Sequence, residues 1–246
     1  MQLNGNTVLI TGGTSGIGRA FAEQFLKSGS RVIVCGRRRD RLEEIKKQYP
    51  DIIIRESDVS QADQRQELSD WVTDQHPELN VLVNNAGIQL LTDLTRPIDL
   101  KRVWSEVETN LVAPIHLSSL LTPHLIKKQQ AAIVNISSGL AFVPISFMPV
   151  YCATKAAIHS LSLSQRHQLR KTSVLVFEIA PPAVDTELGS DRREDKSLSH
   201  GGMPVSEFIE EAMDALRQDL LEAPIGTAKN SREKREEIFE RLNGQW

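Results

Sequence analysis

The stretch Thr7-Val-Leu-Ile-Thr-Gly-Gly-Thr-Ser-Gly-Ile-Gly-Arg-Ala-Phe-Ala-Glu-Gln-Phe-Leu26 sets the reading of this chain. A β-branched and apolar run enters a turn with glycine at 12, 13, 16 and 18, and the turn enters an amphipathic segment. The run predicts a buried strand and the segment a helix. Glycine permits positive φ in such a turn, and it leaves the amides at the helix start open to close approach by a pyrophosphate. Gly12, Gly16 and Gly18 are spaced as Thr-Gly-x-x-x-Gly-x-Gly rather than Gly-x-Gly-x-x-Gly. A glycine turn that only lets a strand and a helix pack together looks the same, so the rest of the chain has to decide.

The pattern repeats to the end. Strands are predicted at Thr7–Ile10, Arg31–Cys35, Ile52–Arg55, Val81–Val83, Ala132–Ile136, Val174–Ile179 and Ala223–Ile225. Helices are predicted near Gly18–Lys27, Asp40–Gln48, Gln61–Gln75, between Glu106 and Lys127, at Val150–Lys171 and at Ser206–Leu220. Alternation of this kind predicts an α/β fold, a parallel sheet with crossover helices on both faces. A last charged helix, around Arg232–Leu242 within residues 230–246, is mostly polar and reads as a solvated or oligomer-packed terminus. The stretch Glu187–Gly202 has many charges and no apolar period. It reads as a mobile loop over the carboxyl ends of the strands, where open α/β sheets bind ligands.

With 246 residues, 40% apolar and 25% charged, the chain suits one large core, taken as a single domain over 1–246. Net charge is −3 with the two signs interspersed, which argues against nucleic acid or an anionic membrane as partner. No apolar stretch reaches spanning length, and the segment from Met1 to Thr7 lacks the layout of a secretory signal, so a cytoplasmic location is expected. Two cysteines, Cys35 and Cys152, are too few for a disulfide framework or a zinc site. The six histidines form no metal-spaced cluster, and no metal is expected.

Chemistry concentrates late in the chain. Tyr151 and Lys155 stand four residues apart, which on a helix puts phenol and ammonium on one face, where the cation favours the phenolate. Ser138 lies thirteen residues before Tyr151. Its neighbour Ser137 is the rival, but side chains alternate along a strand and the two hydroxyls should point apart. Together Ser138, Tyr151 and Lys155 can run acid–base chemistry on a carbonyl. After the second strand the chain reads Cys35-Gly-Arg-Arg-Arg-Asp40, so Gly36 stands where an acid would accept a ribose 2′-hydroxyl, and Arg37 follows. A guanidinium grips a 2′-phosphate, which favours NADP(H) over NAD(H). The substrate-facing stretches are read as Ile88–Leu90, Leu140–Met148 and the 187–202 loop; their apolar residues suggest a partly hydrophobic small molecule. A serine hydrolase would need Gly-x-Ser-x-Gly, which Ile-Ser-Ser138-Gly-Leu is not.

Five motifs in order, Thr11-Gly-x-x-x-Gly-x-Gly18, Asn84-Asn-Ala-Gly87, Asn110, Ser138 and Tyr151-x-x-x-Lys155, resemble the short-chain dehydrogenase/reductase family, compact single-domain branch, over roughly Thr7 to Ile225. Ala141-Phe-Val-Pro and Phe177-Glu-Ile-Ala-Pro-Pro-Ala-Val-Asp-Thr-Glu-Leu-Gly189 are similar to its DltE-type subgroup. The resemblance implies a doubly wound Rossmann-type sheet of about seven strands, a nicotinamide cofactor, and a homodimer or homotetramer built on the long helices near Asn110 and Tyr151. It implies cofactor contacts from Gly12, Thr14, Ser15, Gly16, Ile17 and Gly18, from Arg37 and Arg38, and from Pro181 and Val184. Asp58 and Val59 would border the adenine, Asn84, Ala86 and Gly87 the adenosine ribose, and Thr186 the nicotinamide carboxamide. Asp58 also reads as a helix cap before Gln61. Tyr151 would move the proton, Ser138 orient the carbonyl, and Lys155 lower the tyrosine pKa and hold the nicotinamide ribose. Asn110 would support a water joining Lys155 to solvent. Pro181-Pro182 departs from the usual Pro-Gly and stiffens the loop that carries Thr186. The alternative is an NADP(H)-binding redox sensor or scaffold without turnover, although such proteins can lose the tyrosine or lysine that this chain keeps.

Overall fold

The computed structural model describes residues 1–189 and 201–243. Seven strands, β1 (Thr7–Thr11), β2 (Arg31–Gly36), β3 (Ile53–Glu56), β4 (Val81–Asn84), β5 (Ala131–Ile136), β6 (Val174–Ala180) and β7 (Glu222–Pro224), form one sheet in the order β3-β2-β1-β4-β5-β6-β7. Every neighbouring pair is parallel. The helices between them are α1 (Gly16–Lys27), α2 (Arg39–Gln48), α3 (Ala62–Gln75), α4 (Leu100–Val107), α5 (Ala113–Leu125), α6 (Pro149–Leu169), α7 (Val205–Arg217), α8 (Ala228–Lys234) and α9 (Phe239–Asn243). Strand order reverses between β1 and β4, which opens a crevice at their carboxyl ends.

Alternation along β1 explains the layers. Val8 and Ile10 face Phe21, Ala22 and Phe25 of α1 and Phe208 of α7. Leu9 faces the opposite way, toward Leu68 and Val72 of α3 and Leu117 and Leu121 of α5. A strand covered on both faces reads as an unbroken apolar run, which is how β1 looks in the sequence. The Phe21 ring stacks on Phe25 and meets Phe208 edge-on, each with centroids 6.4 Å apart, and so ties α1 to α7. On the α3 and α5 side, Asn135 of β5 donates from Nδ2 to Ser162 Oγ and Gln165 Oε1 of α6, both at 3.0 Å.

Two expectations change. The helix read between Glu106 and Lys127 starts at Leu100, where Asp99 Oδ1 accepts from Lys101 N at 2.9 Å, and a π turn at Glu108–Val112 separates α4 from α5. The single C-terminal helix is instead α8, a 3-10 turn at Arg235–Ile238 and α9, because Arg235 takes φ of 42° and ends the first piece. Of the loop read at 187–202, residues 190–200 lie outside the described residues; its flanks are pinned where Val184 pairs with Met203. No helix among the described residues is long and apolar enough to cross a membrane.

Candidate active site

The glycine turn sits at the β1 edge of the crevice and is built against β4. Thr11 Oγ1 donates to Val83 O at 3.3 Å and accepts from Asn85 N and Ala86 N, both at 3.0 Å. Asn85 Nδ2 donates to Thr11 O and Gly12 O at 2.9 and 3.2 Å. Gly12 takes φ of 63°, and a Cβ there would stand 2.9 Å from Ala86 Cα. A Cβ on Gly18 would fall 2.3 Å from Asn85 Nδ2 and 2.4 Å from Gly12 O. Ser15 precedes α1 without a side-chain cap bond, so its hydroxyl does not take up the first-turn amides. Glycine at 12 and 18 is therefore required by close packing of the turn on Asn85, Ala86 and its own backbone, and the amides left uncapped at the start of α1 form the cradle that would take a pyrophosphate.

Tyr151 and Lys155 share the inward face of the first turns of α6, each only 5% exposed. Lys155 Nζ donates to Ile136 O at 2.8 Å and lies 5.7 Å from the Tyr151 ring centroid. Burial pushes the Lys155 ammonium down to about 8, opposed by the buried Glu106 carboxylate of α4. Ser138, also buried, ends the chain's run out of β5 and accepts from Leu140 N at Oγ, at 3.1 Å. That leaves its O–H directed elsewhere. Leu140 in turn packs on the cluster of Met148, Tyr151 and Cys152, with Ile145 and Phe147, which brings the serine turn onto the tyrosine. Ser137 faces away, donating to Glu178 Oε1 at 2.6 Å.

Asn110 is held by the π turn. Its Oδ1 accepts from Ile88 N at 2.8 Å, while Nδ2 donates to Ile88 O at 2.8 Å and to Thr154 Oγ1 at 3.2 Å. Thr154 Oγ1 donates to Tyr151 O at 2.7 Å, so one amide ties the segment after β4 to the tyrosine turn. A Cβ on Gly87 would lie 3.4 Å from Asn110 Oδ1 and 3.8 Å from Lys155 Nζ, so both groups look onto the space beside that glycine.

At the far end of the crevice Gly36 lies beside Thr14, and Arg38 Nη2 reaches Ser15 Oγ at 3.4 Å. Arg38 and Arg41 each stand 3.6 Å from Glu187, which follows Thr186 in the loop after β6. Arg37 is exposed at the start of that turn. Thr186 sits against Gly16, where a Cβ would come within 3.2 Å of its own Cβ. Pro181 O accepts from Gly139 N at 2.8 Å, and Val184 is largely buried. Asp58 does not cap α3: its Oδ1 accepts from Ser60 N at 3.0 Å, closing the turn before Gln61. Val59 packs into the core beside α3, and Asn84 commits its amide to Ser118 Oγ and Asn135 Oδ1 at 3.1 and 2.9 Å, inside the structure.

Sequence reasoning quoted Thr11 and Asn85 within motifs without giving them a role, read Glu187 only as the start of a loop, and missed Thr154 and Arg41. Arg41 was legible in principle, one helical turn beyond Arg37, whereas the contacts of Asn85 depend on strand adjacency that spacing does not reveal.

The family described as short chain dehydrogenase matches residues 6–197. The uncharacterized oxidoreductase DltE of Bacillus subtilis (strain 168) is 46% identical over 250 residues, spanning 100% of this chain and 99% of its own. A short chain dehydrogenase from Burkholderia cenocepacia J2315, solved in complex with NADP, has a TM-score of 0.84 at 23% identity, covering 98% of this chain and 99% of that one. A short chain dehydrogenase/reductase from Burkholderia phymatum, solved in complex with NAD, has a TM-score of 0.85 at 22% identity, covering 99% and 97%. The chain belongs to the short-chain dehydrogenase/reductase family and is an oxidoreductase.

Proposed function

We propose that the chain is an NADP(H)-dependent oxidoreductase that interconverts a carbonyl and a secondary alcohol on a small, partly hydrophobic molecule. The observation that carries this reading is the meeting of Ser138, Tyr151 and Lys155 at the carboxyl end of β5, buried, with the serine turn packed on the tyrosine through Leu140. The dinucleotide, when bound, supplies or accepts the hydride. In reduction Tyr151 Oη gives the proton to the carbonyl oxygen. Ser138 Oγ, already accepting from Leu140 N, donates to that same oxygen as negative charge builds on it. The Lys155 ammonium favours the phenolate that remains. Asn110 fixes Ile88 and supports a water between Lys155 and solvent, so the proton is replaced. In oxidation each transfer reverses.

Gly12, Gly16 and Gly18 with Thr14, Ser15 and Ile17 would hold the pyrophosphate, and Pro181, Val184 and Thr186 would border the nicotinamide. The preference for NADP(H) rests on Arg37 and Arg38 in a turn with no acid at Gly36, and Arg41 joins them one turn into α2. The two solved relatives above bind different dinucleotides, so the local charge carries this assignment. Leu140, Ile145, Phe147 and Met148 line the side of the tyrosine where substrate would sit, which supports an apolar substrate.

Tyr151→Phe tests the mechanism. NADPH should still bind, measured by its fluorescence, while oxidation of NADPH with a panel of aldehydes, ketones and diketones falls at least ~100-fold, the scale of general acid catalysis. Near-parental turnover would refute the proton-donor role. Tight NADPH binding with no turnover of any compound by the parental chain would favour a sensor.

A further inference from the structure

Glu178 on β6 is fully buried, yet the proposed chemistry does not use it. A buried carboxylate is costly unless hydrogen bonds and charge compensate it, so its partners are informative. Oε1 accepts from Ser137 Oγ at 2.6 Å, and Oε2 lies 2.8 Å from Nδ1 of His159, one turn beyond Lys155 on α6. The Ser137 partner is the residue immediately before Ser138. The backbone around that serine is tied to the same strand: Ser137 N donates to Ile179 O at 2.9 Å and Gly139 N to Pro181 O at 2.8 Å.

The other end of the serine turn reaches the same histidine. The Phe142 ring stands edge-on to His159 with centroids 5.1 Å apart, and the Arg232 guanidinium of α8 lies 5.5 Å from the centre of the Phe142 ring. Arg232 also pairs with Glu222 of β7. Ala228 backs Gly139 closely enough that a Cβ there would come within 3.0 Å of it. His159, Glu178 and Glu222 offer ligand atoms within 4.8 Å of one another, as a metal site would. Here, however, the histidine nitrogen and a Glu178 oxygen bond each other, and Glu222 is matched by Arg232, so the group is a closed bracket of ion pairs and hydrogen bonds.

We infer that Glu178 is a positioning residue that acts through Ser138: with Ser137 and His159 it clamps the turn Ser138–Phe142 from both ends, and so fixes the serine hydroxyl against the substrate carbonyl. The inference rests on the role proposed for Ser138. Displacement of a reacting group by about 1 Å can cost on the order of 100-fold in rate, so a small relaxation of this turn is enough to be measured. The glycine cradle lies at β1 and α1, so cofactor binding should be indifferent to it.

A double-mutant cycle tests this, using the full-length chain, NADPH and the compound of the carbonyl panel that the parental enzyme turns over fastest. Glu178→Gln keeps the side-chain volume but removes the charge that holds both partners. It should lower kcat about 10- to 100-fold with the Kd for NADPH unchanged. Ser138→Ala should also lower kcat, and adding Glu178→Gln to it should cost less than about 3-fold more, because residues that act as a unit are not additive. Effects that multiply, or a parental kcat in Glu178→Gln, overturn the inference while leaving Ser138 in place. A parental kcat in Ser138→Ala overturns the role of the serine and the inference with it. Should Glu178→Gln not fold, His159→Gln, at the partly exposed end of the bracket, runs the same cycle with the same two readings.

Discussion

Lys155 concentrates the conflict between stability and function in one atom. Its ammonium is buried, bonded to Ile136 O, and titrates at about 8 rather than at the usual lysine value near 10.5. Below pH 8 the cation is present and can favour the phenolate; above it the charge is lost. The rate of carbonyl reduction should therefore fall as pH rises through about 8, read from a profile of kcat/KM, and a rate that is flat to pH 10 would count against the lysine. Stability runs the other way. Between pH 8 and 10.5 the unfolded chain binds more protons at this residue than the folded one, so stability from this group rises with pH there. Lys155→Met should consequently unfold at an equal or higher temperature, with a gain of up to about 3 kcal/mol from the removed charge, while turnover falls at least ~100-fold. Gly18 poses the opposite case, where no side chain is allowed. Gly18→Ala puts a methyl on Asn85 Nδ2 and Gly12 O, and should cost about 1–3 kcal/mol in chemical denaturation together with most of the affinity for NADPH. At this scale the sequence separates Gly12, Gly16 and Gly18 from ordinary glycines by position after a strand. It does not separate Asn84, whose amide lies inside the sheet, from Asn85, which binds the turn, because both stand at the same strand end.

Strands were the most legible elements, since β1, β2, β4, β5 and β6 are short, largely buried apolar runs and each boundary of the seven strands falls within a residue of its expectation. The π turn was not legible. A one-residue widening leaves the apolar period of the surrounding helix nearly intact, yet Glu108–Val112 is what turns Asn110 inward to grip Ile88. Nor was the meeting of α2 with the loop after β6. Glu187 bridges Arg38 and Arg41, so the carboxylate occupies guanidiniums that a 2′-phosphate would need. Replacing Arg37 and Arg38 together by Asp should lower kcat/KM with NADPH about 10- to 100-fold, the range of charge-assisted phosphate contacts, and leave NADH nearly unchanged. Glu187→Gln should raise NADPH affinity only a few-fold, because exposed pairs contribute little. Equal preference for the two dinucleotides before and after the arginine substitutions would remove the basis for NADP(H).

At the scale of the molecule the site is spread along one crest, with its parts delivered by the ends of β1, β2, β4, β5 and β6, which is why motifs far apart in sequence keep a fixed order. The outer side of the same helices is a different surface. While Tyr151, Lys155 and Ile158 of α6 point inward, Leu163 is 46% exposed, and Trp104 on α4 and Ile115 on α5 are 61% and 42% exposed. Large apolar side chains exposed on consecutive helices are what an interface core needs, and they fit the expected pairing of copies through these helices. A homodimer or homotetramer is therefore expected in sedimentation velocity at micromolar concentration. Ile115→Glu with Leu163→Glu places two carboxylates in that interface and should shift the species to monomer. Turnover should fall with it, because α4 and its π turn hold Asn110 while α6 carries Tyr151 and Lys155, and a partner that braces both keeps them in register. A parental chain that sediments as a monomer, or a double variant whose mass and turnover are both unchanged, would mean that these side chains serve no such contact.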